Sequence, residues 1–282
     1  MDFAMHSGQI GHTGFATPAD AAWTVAQVFG AMFPLFFICE RFGLNFGYSK
    51  FASAGVDRSI EMPSRVGMFF LYFPAIIVAQ IPNFMADSQN MQGLSPAQIA
   101  HPYAQRVIWL VTAHFSKRTL EVLFLHKYSG GINLVSVILI STLYMISAAL
   151  LTATALFGMP EGVRPGQTQS LVGVGVFAVG SLGNLYHHYL LAHLRKPGET
   201  GYKLPRGGMF GWICCPHYFF ELVAWLGAAI VSAHATGWIL LVCFTSYLGG
   251  RSGSTLAWYH ARTKKLDAPP PAGWCALIPF VY

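Results

Sequence analysis

Charge is what this sequence has least of. Of its 282 residues, 10% are Asp, Glu, Lys or Arg and 54% are hydrophobic. Soluble domains carry about 25% charged residues. So little charge cannot coat a water-facing surface, and the mean hydropathy of +0.48 agrees. The bilayer is therefore part of the solvent. Cysteine is also scarce. Cys39, Cys214, Cys215, Cys243 and Cys275 form no C-x-x-C pair, so no disulfide framework or zinc site follows. The first 20 residues lack Lys and Arg, and with them the basic start of a secretory signal peptide. The first apolar run therefore reads as a membrane span. P-loop, G-x-S-x-G, repeat and low-complexity signatures are missing too. A net charge of +6 would suggest nucleic acid in a soluble protein. Here the basic residues lie in short loops without a nucleic-acid motif, so membrane lipids are the expected partner instead.

A span needs about 20 mostly apolar residues. Seven such stretches are present, near 20–39, 65–82, 104–125, 132–158, 168–194, 210–233 and 236–259. Breakers separate them, among them Pro82-Asn83, Ser129-Gly130-Gly131, Pro160 to Gly166 and Lys196-Pro197-Gly198. All Lys and Arg except Arg106 and Arg164 then fall on one side, which the positive-inside rule makes cytoplasmic. The expected fold is all-α with seven transmembrane helices. Residues 1–19 form a short extracytoplasmic segment, 20–282 form a single membrane domain, and the C-terminus lies in the cytosol.

Polar residues sit at membrane depth, where ionisable groups are costly and mark function. His114, Lys117, Arg118 and Glu121 follow i, i+3, i+4, i+7 spacing and share one helical face. They read as a cavity lining or as an internal Arg–Glu pair between helices. Asn184, His188 and Arg195 form a second face. Tyr218, Glu221 and Trp225 form a third, with His217 beside it. Glu221 needs a partner, because a lone buried carboxylate costs several kcal/mol; Arg251 is one candidate. The stretch from Arg251 to Tyr259 is the fourth polar cluster. All four can face one cytoplasmic-side cavity. Cations there suit a phosphate-rich ligand, and a Tyr or Glu suits a general acid.

Gly173-x-Gly175-x-x-Ala178 matches a dinucleotide fingerprint, but that motif needs a preceding strand and a βαβ unit. Inside a span, Gly173, Gly175, Gly180 and Gly183 are expected to pack helices closely. His187, His188 and His193 make one loose histidine box, too few ligands for a di-iron centre, so no metal is expected.

The stretches from His114 to Gly130, Gly183 to Pro205 and Gly207 to Trp225, with the ending Ala276 to Tyr282, resemble the steroid 5α-reductase family of membrane NADPH reductases. The resemblance covers roughly residues 40–282 and has features of the related very-long-chain enoyl-CoA reductases. It implies seven spans and NADPH bound between the helices without a Rossmann domain. It further implies cofactor contacts at Arg118, Asn184, His188, Arg195, Tyr202, His217, Glu221, Trp225, Arg251 and Tyr259. His188 stands where steroid-reducing members carry Asp, His217 where Asn is frequent, and Thr255 replaces a His. Glu61 matches the carboxylate near the steroid carbonyl. Phe115, beside His114 on the substrate side, replaces the Tyr that polarises that carbonyl. The enoyl-CoA reductases also have Phe there, and their candidate acid is the Tyr of a Cys-Pro-Asn-Tyr motif, which corresponds to Tyr218.

The chemistry so implied is reduction of a C=C bond conjugated to a carbonyl, with Tyr218 or Glu61 as catalytic donor. The first expectation is a 3-oxo-Δ4 steroid or related lipid as substrate. The alternatives are trans-2-enoyl-CoA reduction and a membrane methyltransferase of the isoprenylcysteine type. For the last, the basic set Arg118, Arg195 and Arg251 argues for NADPH instead. The endoplasmic reticulum is the expected membrane in a eukaryote.

Overall fold

The computed structural model describes residues 18–41, 60–86, 95–128, 130–158, 164–195, 199 and 203–282. In chain order these form α1 (Pro18–Arg41), β1 (Glu61–Pro63), α2 (Ser64–Met85), α3 (Pro96–Ile99) and α4 (Pro102–Leu120). Helix α4 runs into a π turn, Glu121–Leu125. Then follow β2 (Gly131–Asn133), α5 (Leu134–Phe157), α6 (Gln167–Ala192), α7 (Pro216–Ser232) and α8 (Ala235–Ala261).

A long helix thus lies at each of the seven expected stretches. Three of them, α2, α5 and α6, are long and apolar enough to cross a membrane. Helix α7 has 17 residues, and α4 carries Arg106, His114, Lys117 and Arg118. Apolar side chains line outward faces, including Phe70, Phe73, Ile77 and Phe84 of α2 and Leu171, Val172, Val179 and Leu182 of α6. Exposed apolar faces of this extent fit a lipid surround.

Local chemistry sets the helix starts. The side chains of His101, Asn133 and His234 accept hydrogen bonds from the first backbone N–H groups of α4, α5 and α8. The sixth expected stretch, 210–233, forms α-helix only from Pro216, after a 3-10 turn at Gly208–Gly211. Residues 212–215 pair instead with the C-terminal tail: Cys275 N–H donates to Trp212 O at 3.1 Å and Cys214 N–H to Cys275 O at 2.8 Å. Pro216 has no N–H to satisfy and suits a first turn. A second departure from all-helix is the antiparallel pairing of β1 with β2, Glu61 opposite Asn133.

The tightest helix pair is α6 against α7. A Cβ on Gly180 would strike the backbone of Val223 and Ala224, and one on Gly227 would strike Gly173 and Phe177. Gly173, Gly180 and Gly183 therefore permit the close approach. Gly175, expected to share this role, faces open space. It sits in the middle of α6 with no strand before it, so the dinucleotide reading has no structural basis. Helices α2, α4, α5, α7 and α8 enclose one apolar core containing Leu71, Phe115, Val137, Leu151, Trp225 and Phe244. A smaller core of Leu204, Cys214, Cys215, Trp258, Tyr259 and Trp274 anchors the tail.

Candidate active site

The polar face of α4 meets α6 and α7 inside the bundle. Glu121 is 3% exposed and begins the π turn; such turns concentrate at functional sites. Its Oε1 accepts from Lys117 Nζ at 2.9 Å, and its Oε2 accepts from Arg118 Nη1 at 2.5 Å. His188 Nδ1 of α6 lies 3.1 Å from Oε2 and 2.9 Å from Arg118 Nη1. That nitrogen donates to the carboxylate or accepts from the guanidinium according to tautomer. Arg118 Nη2 donates to the hydroxyl of Tyr72 on α2 at 2.8 Å. Asn184 joins the helices: its Oδ1 accepts from Lys117 Nζ, and its Nδ2 donates to His217 O of α7 at 2.8 Å.

A second pair lies one turn earlier on α4. His114 Nε2 is 3.1 Å from Glu221 Oε1 of α7, and the side chains are 4% and 14% exposed. The His114 ring touches Phe115, Phe177 and Trp225. Trp225 in turn stacks on Phe244 at 4.1 Å. The partner of Glu221 is thus His114, whereas Arg251 pairs with Glu40 of α1 at 2.9 Å. Among the described residues, Arg118 Nε and Trp225 Nε1 are buried donors of this interior without an acceptor. Leaving such N–H groups unsatisfied costs about 1–3 kcal/mol each, so both fit a ligand rich in acceptor atoms.

Glu121, His126 and His188 offer ligand atoms within 4.8 Å of one another. The Arg118 guanidinium already stands against Glu121 and His188, with Lys117 beside it. A divalent ion would have to displace that charge, so the set reads as an ion-pair network. Burial, aided by the charges of His188 and Arg118, lowers the His126 imidazole to about 3, and it is neutral at physiological pH.

Three of the four expected clusters therefore meet: His114 to Glu121, Asn184 with His188, and His217 with Glu221 and Trp225. Arg195 lies beyond the end of α6 and is exposed, away from His188 of its own cluster. Tyr218 packs on the smaller core with Trp258 and Tyr259, while Glu221 and Trp225 from its face line the larger one. Glu61 is exposed on β1, its carboxylate near Gly131. Tyr202 lies outside the described residues. Tyr72 and Glu40, which bond Arg118 and Arg251, carry no mark in the sequence. A lone Tyr in an apolar run and a carboxylate at a span end gave no signal. A cavity of about 380 Å3 lined by Arg41, Leu256, His260, Trp274 and Tyr282 opens on α8. It lies on roughly the opposite side of that helix from Arg251, Thr255 and Tyr259.

The family described as 3-oxo-5-alpha-steroid 4-dehydrogenase matches residues 133–282. A Bos taurus 3-oxo-5-alpha-steroid 4-dehydrogenase 1 is 41% identical over 92 residues, 33% of this chain and 36% of the relative. A steroid 5-alpha-reductase of Gossypium hirsutum is 35% identical over 112 residues, 40% of this chain and 42% of the relative. A Mus musculus 3-oxo-5-alpha-steroid 4-dehydrogenase 2 is 27% identical over 245 residues, 86% of this chain and 90% of the relative. Against the first relatives, the mammalian type 1 proteins, the matched stretch spans 36 to 42% of their length. The family match includes Asn184, His188, Glu221, Trp225 and Arg251 and stops short of the α4 cluster. With 133–282 covering more than half of its residues, this chain belongs to the 3-oxo-5-alpha-steroid 4-dehydrogenase family.

Proposed function

We propose that the chain is a membrane-embedded, NADPH-dependent reductase of a C=C bond conjugated to a carbonyl, acting on a 3-oxo-Δ4 steroid or related lipid. Family membership supports the reaction class. The observation that carries the cofactor site is the pair of buried donors without an acceptor among the described residues, Arg118 Nε and Trp225 Nε1, beside a network drawn from α4, α6 and α7. The seven long helices are taken as seven spans of one domain, with the basic loops and the C-terminus cytosolic. The membrane is the endoplasmic reticulum if the cell is eukaryotic.

NADPH supplies a hydride when bound. Arg118 and the exposed Arg195 would hold its phosphates. Asn184, Glu221, His188, His217 and Trp225 would orient its nicotinamide end, and Tyr202 and Tyr259 are the remaining proposed contacts. Arg251 acts through the α1–α8 seam. The carbonyl oxygen of the substrate gains negative charge during reduction, and a preorganised donor there lowers the barrier. Tyr218 and a protonated Glu61 are the proposed donors. Tyr218→Phe is expected to cut turnover at least tenfold with NADPH affinity near normal; unchanged turnover removes Tyr218 from the mechanism.

A trans-2-enoyl-CoA is the second reading, and Phe115 favours it. That side chain is fully buried in the aromatic cluster and offers no hydroxyl to a steroid carbonyl.

A further inference from the structure

We infer that His114, oriented by Glu221, is the proton donor to the α-carbon of the substrate. The inference rests on the reductase reading above. Conjugate reduction needs two polar functions from the protein. One is a hydrogen bond to the carbonyl oxygen; the other is a proton for the carbon next to it. Phe115 itself offers no hydroxyl, and the titratable groups whose rings pack on it are the His114 imidazole and the Tyr144 phenol, of which His114 is the one paired with a carboxylate.

Its setting has the parts of an acid–base dyad. Glu221 Oε1 lies 3.1 Å from Nε2, close enough to hold the ring orientation. Nδ1 makes no hydrogen bond among the described residues and is the nitrogen left to carry the mobile proton. Aromatic rings surround the pair, with Trp225 at 4.9 Å between centroids and Phe115 at 5.1 Å. Such walls suit an apolar ring or chain, and Trp225 Nε1 asks for one acceptor atom in the same place. The other charged or titratable groups around the dyad are Lys117, Arg118 and Glu121 on α4, His188 on α6, His217 on α7, Tyr72 on α2 and Tyr144 on α5. The balance is simple. The N–H bond at Nδ1 breaks and a C–H bond forms at the α-carbon. The electron pair of the new β-carbon bond comes with the hydride of the reduced nicotinamide. Solvent then returns a proton to the ring.

The test compares the purified full-length protein with His114→Gln and Glu221→Gln. A conjugated enone and NADPH are the reactants. His114→Gln is expected to lower kcat about 100-fold, with KM for the enone within about threefold. The solvent deuterium isotope effect should grow, because proton delivery becomes limiting. Glu221→Gln, nearly isosteric, should lower kcat at least tenfold and shift the pH profile. A readout without turnover is the fluorescence of Trp225, because a protonated imidazole quenches an adjacent indole. The wild type should show a pH-dependent step that is lost in His114→Gln and in Trp225→Phe. Wild-type kcat and solvent isotope effect in both His114→Gln and Glu221→Gln would overturn the inference alone. If His114→Gln does not fold, Glu221→Gln and the wild-type fluorescence step decide. A wild type that oxidises no NADPH with any enone overturns the reductase reading and this inference with it.

Discussion

The arginines Arg118 on α4, largely buried, and Arg251 on α8, fully buried, do different things with the same charge. Arg251 is 2% exposed and faces Glu40, 1% exposed, across the α1–α8 seam. Gly250 lies beside it, close enough that a Cβ would stand 2.8 Å from Phe37 O. Arg118 shares Glu121 with Lys117 and His188, bonds Tyr72, and keeps one N–H without an acceptor among the described residues. The first arrangement is a carboxylate-for-guanidinium clamp between helices. The second is a network of mixed charge with donor capacity left over. Burial of a cation in a span is therefore not enough to name a ligand site; a buried N–H left without an acceptor among the described residues separates the binding face from the helix clamp.

Breaking the clamp has the largest expected effect. Arg251→Met leaves Glu40 buried without its partner, which costs about 3–5 kcal/mol. Thermal unfolding in detergent should fall sharply, and Glu40→Leu combined with Arg251→Met should recover most of the loss. Equal stability of single and double variants would refute the clamp. The α6–α7 seam comes next. Gly180→Leu must push apart the backbones at Val223 and Ala224 and should destabilise by about 1–3 kcal/mol, whereas Gly175→Leu should be near neutral by the same melting assay. Arg118→Met should act on binding more than on stability. Loss of a charged hydrogen bond, roughly 1.5–3 kcal/mol, corresponds to about a tenfold to hundredfold weaker NADPH affinity by titration.

The smallest change per step of the variable concerns pH. His126 is neutral in the fold because its imidazole is lowered to about 3, while the unfolded chain takes up a proton near pH 6.5. The unfolded state binds more protons between those values, so stability should fall as pH drops from about 6.5 towards 3, by at most about 1.4 kcal/mol per pH unit from this residue. His126→Asn should flatten that slope in melts recorded at stepped pH.

Much of this interior was legible in the sequence. The i, i+3, i+4, i+7 spacing of His114 to Glu121 put four polar residues on one face, and they do face the bundle. Helix–helix packing through Gly180 and Gly183 followed from small residues in an apolar run. What could not be read was pairing over long separations. Glu40 and Arg251 are 211 residues apart, and nothing local marks one as the other's partner. Tyr72 is a single phenol in an otherwise apolar helix. Tyr218 shares a helical face with Glu221 and Trp225 by period, but it lies in the first turn of α7. There the docked tail supplies Trp274 and draws it into another core. Periodicity gives the face of a helix and not the neighbour waiting at its end.

The most direct measurement is NADPH consumption by the purified, detergent-solubilised protein, offered a 3-oxo-Δ4 steroid and, separately, a long-chain trans-2-enoyl-CoA. The account predicts oxidation of NADPH with the steroid and one reduced C=C bond in the product for each NADPH consumed. Oxidation with the thioester alone would move the substrate to the second reading. No oxidation with either would contradict the reductase assignment.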